Sequence, residues 1–361
     1  MGSSLKLGKF FGIPIRLHVT FVLFVAFLAA VYAFQGGVRA AVAGVSFILA
    51  LFLSVTLHEL GHSLVARGFG VKVSGIVLLP IGGVSQMEEM PEQPNREFLI
   101  AVAGPGTSVL LGLVLGVVSL LLYGPTATFK TTLTGGLFIP NLARVNLLLA
   151  IFNLLPGFPM DGGRIFRAAL ARGMPFDRAT TVAASVGRVF AIGLGLFGLF
   201  TNIWLTFIAV FIYFGAGAEA SRVHIKTALR DVPVGRVMAT TFETLEPDDR
   251  LGKAVEHAYH GVQEDFPVVT DGKLVGVLMK QDILAALHGF GPGALVGRVM
   301  RKEFTTVATD STLEQVYSAI QTCGCSSLPV LDAGRIIGVV TLEALGRYLV
   351  FAGAGQGPGR V

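Results

Sequence analysis

Charge is what this sequence has least of. Of 361 residues only 14% are Asp, Glu, Lys or Arg, against about 25% in an ordinary soluble domain, while 53% are hydrophobic. Such a chain cannot lie wholly in water. Cysteine is nearly absent too. Cys323 and Cys325 are the only two, too few and too late in the chain for a disulfide framework. Their C-x-C spacing reads as a pair of reduced thiols in a cytosolic domain rather than as a metal site. Acidic residues number 23 against 28 basic ones, a net charge of +5. The excess is not a nucleic-acid footprint, because the Lys and Arg gather at the ends of apolar runs. A cleaved leader is also disfavoured: the first apolar stretch runs about 18 residues, beyond the usual ~7–15 of a signal peptide. Lys6 stands where an N-myristoylation signal has Ser or Thr.

What is present divides near residue 221. Before it, hydropathy predicts six spans, at 17–35, 41–66, 97–123, 141–157, 180–200 and 202–220, judged against the ~20 residues needed to cross a bilayer. Lys6, Lys9, Arg16, Arg67, Lys72, Arg96, Arg164, Arg167, Arg172, Arg178, Arg222, Lys226 and Arg230 all fall in loops on one side of that path. The other side holds Arg39, Lys130 and Arg144. The positive-inside rule then puts both termini in the cytoplasm. Between spans two and three, "VKVSGIVLLPIGGVSQM" at 71–87 is rich in Val and Ile and broken by Pro80 and Gly82-Gly83. It predicts two short strands and a turn, either a surface hairpin or an edge strand beside an intramembrane cleft. The expected fold is therefore a polytopic α-helical membrane protein with a small β insert, followed by a cytoplasmic α/β module.

Inside the second span lies "HELGH", residues 58–62. Ionisable groups at bilayer depth are costly and point to function. Positions i and i+4 of a helix share a face, so His58 and His62 can offer two nitrogens to one zinc ion. Glu59 beside them can serve as base toward water. A catalytic zinc needs a third protein ligand. His18 and His224 flank spans, and His257, His260 and His288 belong to the later soluble part, where they read as solvated helix residues. Asp161 in "NLLPGFPMDGGR" at 153–164 is the better candidate. Irregular backbone at membrane depth is tolerated only where it lines protein or a cavity, and the path of the spans brings both motifs toward the cytoplasmic face.

Together with "AGP" at 103–105, these motifs make residues 10–220 resemble the site-2 protease family of intramembrane zinc metalloproteases. The resemblance implies one Zn2+ held by His58, His62 and Asp161, with Glu59 as the catalytic residue. It also implies Asn153 as a substrate- or oxyanion-positioning group. Its substrates would be membrane-anchored proteins cut near the cytoplasmic side. Two positions depart from the family pattern: Phe158 stands where many relatives have Asn, and "AGPGTS" lacks an Asn often found after Ala-Gly-Pro.

Beyond residue 230 an internal repeat appears. "VGRVM" at 234–238 returns at 296–300, "FPVV" at 266–269 as "LPVL" at 328–331, and "LVGVL" at 274–278 as "IIGVV" at 336–340, all at an offset of 62. A constant offset means two copies of one unit, each reading strand-helix-strand-strand-helix. The pair resembles a tandem of cystathionine-β-synthase (CBS) domains, which implies an adenine nucleotide between the copies. Asp282 and Thr341 each match part of the ligand motif, while Met279 and Ala344 break it. A homodimerising module without ligand stays open beside it. The expected division is a protease domain at 1–220, a helical linker at 221–230, CBS copies at 231–290 and 291–350, and a flexible Gly-rich tail at 351–361. A CBS-regulated membrane transporter or channel is the rival reading; it explains buried polar groups but not the His-Glu-x-x-His and distal Asp.

Overall fold

A computed structural model describes residues 4–87, 91–129, 137–260 and 263–355. The chain separates into two compact units, Met1–Ser221 and Arg222–Val361.

The first unit opens with β1 (Ser4–Phe10) and β2 (Ile13–His18). Sequence reading missed this hairpin, whose first strand is exposed throughout and whose charged residues mask the alternation. Only Ile13 and Ile15 of β2 turn inward. α1 follows at Val19–Gly68, with His18 accepting a hydrogen bond from the Thr20 amide at its start. Helical dihedrals are lost at Gly36 and Gly37, so the first two expected spans are two runs of one element. β3 (Val73–Leu79) and β4 (Gly82–Met87) are the hairpin predicted at 71–87. They join the first two strands in a sheet of order β1-β2-β3-β4, in which β2 and β3 run parallel and the other pairs antiparallel. β3 is therefore closed on both sides. Ile13, Ile15, Ile76 and Leu78 pack this sheet onto Leu60 of α1, and Arg67 at the end of α1 donates to the Phe11 carbonyl in the β1–β2 turn.

The remaining helices are α2 (Pro94–Phe129), α3 (Phe138–Asn153), α4 (Asp161–Leu170), α5 (Phe176–Thr201) and α6 (Ile203–Leu229). Four of the described helices, α1, α2, α5 and α6, are long and apolar enough to cross a bilayer. The span expected at 141–157 is shorter. α3 has 16 residues, about 24 Å at 1.5 Å per residue against a ~30 Å hydrocarbon layer. Pro156, Gly157 and Pro159 stop it, and α4 restarts at Asp161. Asn146 of α3 is fully buried and donates to Ser54 of α1 at 3.1 Å, one turn from His58.

In the second unit α7 (Leu251–His260), β5 (Phe266–Thr270), β6 (Lys273–Leu278) and α8 (Lys280–Phe290) form the first copy. α9 (Val296–Val299), β7 (Val307–Ala308), α10 (Leu313–Cys323), β8 (Ser327–Asp332), β9 (Arg335–Thr341) and α11 (Leu342–Gly355) form the second. The sheet order is β5-β6-β9-β8-β7. Two cores repeat the sequence offset: Leu245, Leu251, Phe266, Val268 and Leu278 in one, Val307, Leu313, Leu328, Val330 and Val340 in the other. The copies exchange backbone. Ala239 and Val339 hydrogen-bond reciprocally at 2.8 and 3.0 Å, as do Val277 and Arg301 at 3.0 and 2.9 Å.

Two expectations are corrected here. The first five residues of the expected tail, 351–355, are the last turn of α11; positions 356–361 lie outside the described residues. Cys323 and Cys325 are joined as a disulfide rather than standing as two thiols. Gly324 between them takes a left-handed conformation at the end of α10, which folds the chain so that the two Cα atoms are 5.3 Å apart, within disulfide range.

Candidate metal centre

α1 presents His58 and His62 one turn apart, and both are buried. Their Nε2 atoms lie 3.2 Å apart. Asp161 Oδ2 lies 3.2 Å from His58 Nε2 and 3.1 Å from His62 Nε2. The three donor atoms all fall within 4.8 Å of one another. Asp161 is the first residue of α4, where the free amides of a helix N-terminus favour a carboxylate.

The remaining ring nitrogens fix what these atoms offer. His62 Nδ1 is 2.7 Å from the Ile100 carbonyl oxygen, which can only accept, so Nδ1 carries the proton. In the neutral ring Nε2 then holds a lone pair, aimed at an Asp161 oxygen that also accepts. His58 Nδ1 is held by Ser108 Oγ at 2.9 Å. With His58 in the same tautomer, three electron pairs converge on one point, which suits a cation. Two imidazole nitrogens and one carboxylate oxygen, each ring oriented from behind, are the donor set of a catalytic zinc. α2 supplies both supports and passes close by at Gly104. A Cβ there would stand 2.1 Å from His62 Nε2 and 2.6 Å from His58 Nε2, so only glycine leaves the metal position open.

Glu59 is half-buried on the adjoining face of α1 and accepts a 2.6 Å hydrogen bond from Ser85 Oγ of β4. A Cβ at Gly83 would come within 2.7 Å of Glu59 Cγ; the hairpin closes on the glutamate at its glycine. Of the expected residues, the structure brings His58, His62 and Asp161 together with Glu59 on the same turn of α1; sequence reading did not single out Ser85, Ser108 or the Ile100 carbonyl. Ser108 lies in the "AGPGTS" segment already singled out for lacking an Asn; a hydroxyl there was the available signal.

The other expected residues lie elsewhere. Asn153 ends α3, and its Nδ2 donates to Leu149 O at 2.9 Å within that helix. In the second unit both oxygens of Asp282 are taken by Arg301, at 2.7 and 2.9 Å. The offset of 62 relates this pair to Ala344 and Ala239, so the equivalent pair of positions across the two copies lacks acid and base together, as a structural ion pair would. Thr341 Oγ1 accepts from the Ala344 amide at 3.0 Å and starts α11.

Comparison with known proteins decides the family. The chain is 40% identical to the zinc metalloprotease MJ0392 of Methanocaldococcus jannaschii over 355 residues, 94% of each chain. The chain belongs to peptidase family M50. The profile of that family matches residues 46–194, which hold every residue of the metal centre, and the CBS domain profile matches 234–289 and 296–350. Rip3 of Mycobacterium tuberculosis is 34% identical over 97% of this chain and 93% of its own length. The solved site-2 protease from M. jannaschii is 41% identical, covering 60% of this chain and 95% of that one, with a TM-score of 0.45. As an M50 peptidase the protein is a membrane-associated zinc metalloprotease of the site-2 protease type, carrying a CBS pair.

Proposed function

We propose that His58, His62 and Asp161 hold the zinc, that Glu59 is the catalytic base, and that the protein hydrolyses peptide bonds of membrane-anchored substrate proteins near the cytoplasmic side. One observation carries this: three buried acceptor atoms from α1 and α4 converge within 4.8 Å, with Glu59 on the turn that bears two of them. When bound, zinc lowers the pKa of a water to about 7 and polarises the carbonyl to be attacked. Glu59 would act as the base, taking a proton from the attacking water and passing it to the leaving amide nitrogen. Ser85, donating to Glu59 Oε2, fixes the position of that carboxylate. The Ile100 carbonyl keeps His62 in the tautomer that leaves Nε2 free, and Ser108 holds the His58 ring from behind.

A transmembrane substrate hides its carbonyls in helical hydrogen bonds, so it must unwind before it is cut. Segment 76–79 is β3, which has a neighbour on each side, so within this hairpin the strand that can receive an unwound segment is β4. Among the described residues it pairs only with β3, and Ser85 within it touches Glu59. Strand addition there would lay the substrate backbone beside the base.

The chain in this reading is multi-pass, with both termini cytoplasmic by the distribution of its basic loops. It divides into a protease domain at 1–220, a linker at 221–230 and a regulatory CBS pair at 231–350. An adenine nucleotide entering the pair would compete with Arg301 for Asp282. Homodimerisation through the pair is the other role it offers. The deciding experiment compares metal content and cleavage: purified wild type should carry about one zinc per chain, Glu59→Gln should keep it, and membrane proteins compared by mass between the two should differ by the cut products. Zinc-free protein with cleavage intact overturns the assignment.

A further inference from the structure

The two most heavily buried charged side chains among the described residues of the first unit, Glu97 and Arg167, are not metal ligands. Arg167, six residues after Asp161 on α4, is 2% exposed. Its Nε and Nη2 both donate to Glu97 Oε1, at 2.8 and 2.5 Å, and its Nη1 donates to Glu219 Oε1 at 2.9 Å. Glu97 is fully buried in the first turn of α2, and Glu219 lies on α6. The guanidinium sits 4.8 Å from the ring centroid of Phe158 and 4.7 Å from that of Phe176. Phe158 lies in the segment entering α4, and Phe176 opens α5. One side chain thus grips four segments, which a planar fork that also stacks on rings can do and an ammonium cannot. Stability alone does not account for it, since apolar side chains of similar volume usually serve a buried site as well or better.

Position accounts for it. The zinc ligands come from two elements, α1 and α4, and α4 is a ten-residue helix with no side-chain hydrogen bond at its N-cap. Glu97 precedes Ile100 by three residues, so both lie on one turn of α2, and the Ile100 carbonyl holds the His62 ring. The Arg167–Glu97 bond therefore fastens the helix carrying Asp161 to the same turn of α2 that orients His62. Phe158, one of the departures from the family pattern, is buried here as half of the aromatic clamp.

We propose that Arg167 is a positioning residue. Held by Glu97 and Glu219, it sets α4 against α2 and so keeps the Asp161 carboxylate at bonding distance from the point that the two imidazoles face. This rests on the zinc assignment above.

The test uses the purified full-length protein and three readouts: the zinc dissociation constant by chelator competition, the visible spectrum of the cobalt-substituted form, and thermal unfolding without metal. Arg167→Gln and Glu97→Gln should weaken zinc binding about 10–100-fold, as loss of an outer support does, and should alter the cobalt spectrum. Arg167→Lys and the half-exposed arm, Glu219→Gln, should fall between these and wild type. If Arg167→Gln does not fold, the triple variant Arg167→Gln/Glu97→Gln/Glu219→Gln, which buries no charge, takes its place. Lowered unfolding temperatures with zinc affinity and cobalt spectrum unchanged would make Arg167 a purely structural residue and overturn the proposal. Wild type that binds no zinc, or binds it equally after His62→Ala, would instead overturn the ligand assignment.

Discussion

His62 Nε2 and Asp161 Oδ2 are 3.1 Å apart although 99 residues separate them in the chain. Two further acceptor-bearing groups, His58 and Glu59, stand on the same turn of α1 as His62. The protein's chemistry depends on keeping that convergence while a substrate enters.

Removing a ligand should remove the metal. His62→Ala or Asp161→Ala is expected to leave less than one tenth of the wild-type zinc after dialysis, measured by atomic absorption, with cleavage lost in parallel. Glu59→Gln is expected to behave differently: full zinc, and a turnover about 10²–10⁴-fold lower, the usual contribution of a general base. Zinc-loaded Glu59→Gln with normal turnover would exclude Glu59 as the base.

Gly104→Ala adds one methyl group and no charge. Its Cβ falls 2.1 Å from His62 Nε2, so it either displaces the rings or fills the metal position. We expect zinc binding to be lost while the helices persist by circular dichroism. Normal zinc content in this variant would show that α2 can move aside.

Ser108 acts one step removed. Ser108→Ala removes the hydroxyl behind His58 Nδ1 and should weaken zinc about 10–100-fold without emptying the site at millimolar zinc. Chelator competition reads this directly, and an unchanged constant means that the serine does not set the ring.

The hairpin should matter for substrates and not for metal. Val84 of β4 is 47% exposed and apolar. Val84→Lys is expected to lower cleavage of a membrane-anchored reporter at least several-fold at constant zinc content. Equal cleavage by the two proteins would remove β4 as the docking strand.

In the second unit, partial burial opposes ionisation of Asp249. The Glu246 amide and Lys253, both bonded to its carboxylate, outweigh that effect, so its pKa lies below the ordinary carboxylate value. A group depressed on folding stabilises above its unfolded pKa of about 3.9 and loses that stabilisation as pH falls through the folded value. Asp249→Asn should therefore weaken hydrogen-exchange protection of α7 amides at pH 7 and have little effect near pH 2. A deficit of equal size at both pH values would point to packing instead.

Much of the site was legible because it is local. Helical periodicity alone sets His58 and His62 on one face with Glu59 beside them, and a run of apolar residues around charged ones marks the site as intramembrane. The CBS pair was legible because a repeat at a fixed offset needs no tertiary information. Asp161 was reached by elimination among the residues and by family resemblance, since nothing local says that α4 turns back to α1.

What sequence determined, then, was chemistry and periodicity: which groups exist and which share a helix face or a repeat. Tertiary structure decided everything that joins distant segments. It paired β2 in parallel with β3, leaving β4 as an outer strand. It placed Ser108 and the Ile100 carbonyl behind the two rings, and it bound Arg167 to Glu97 and Glu219 across 70 and 52 residues. The physical reason is that helical and strand periodicities fix directions only within one element. A hydrogen bond between elements depends on how their backbones approach, and here that approach is set by buried small residues such as Gly104, whose role no local pattern announces.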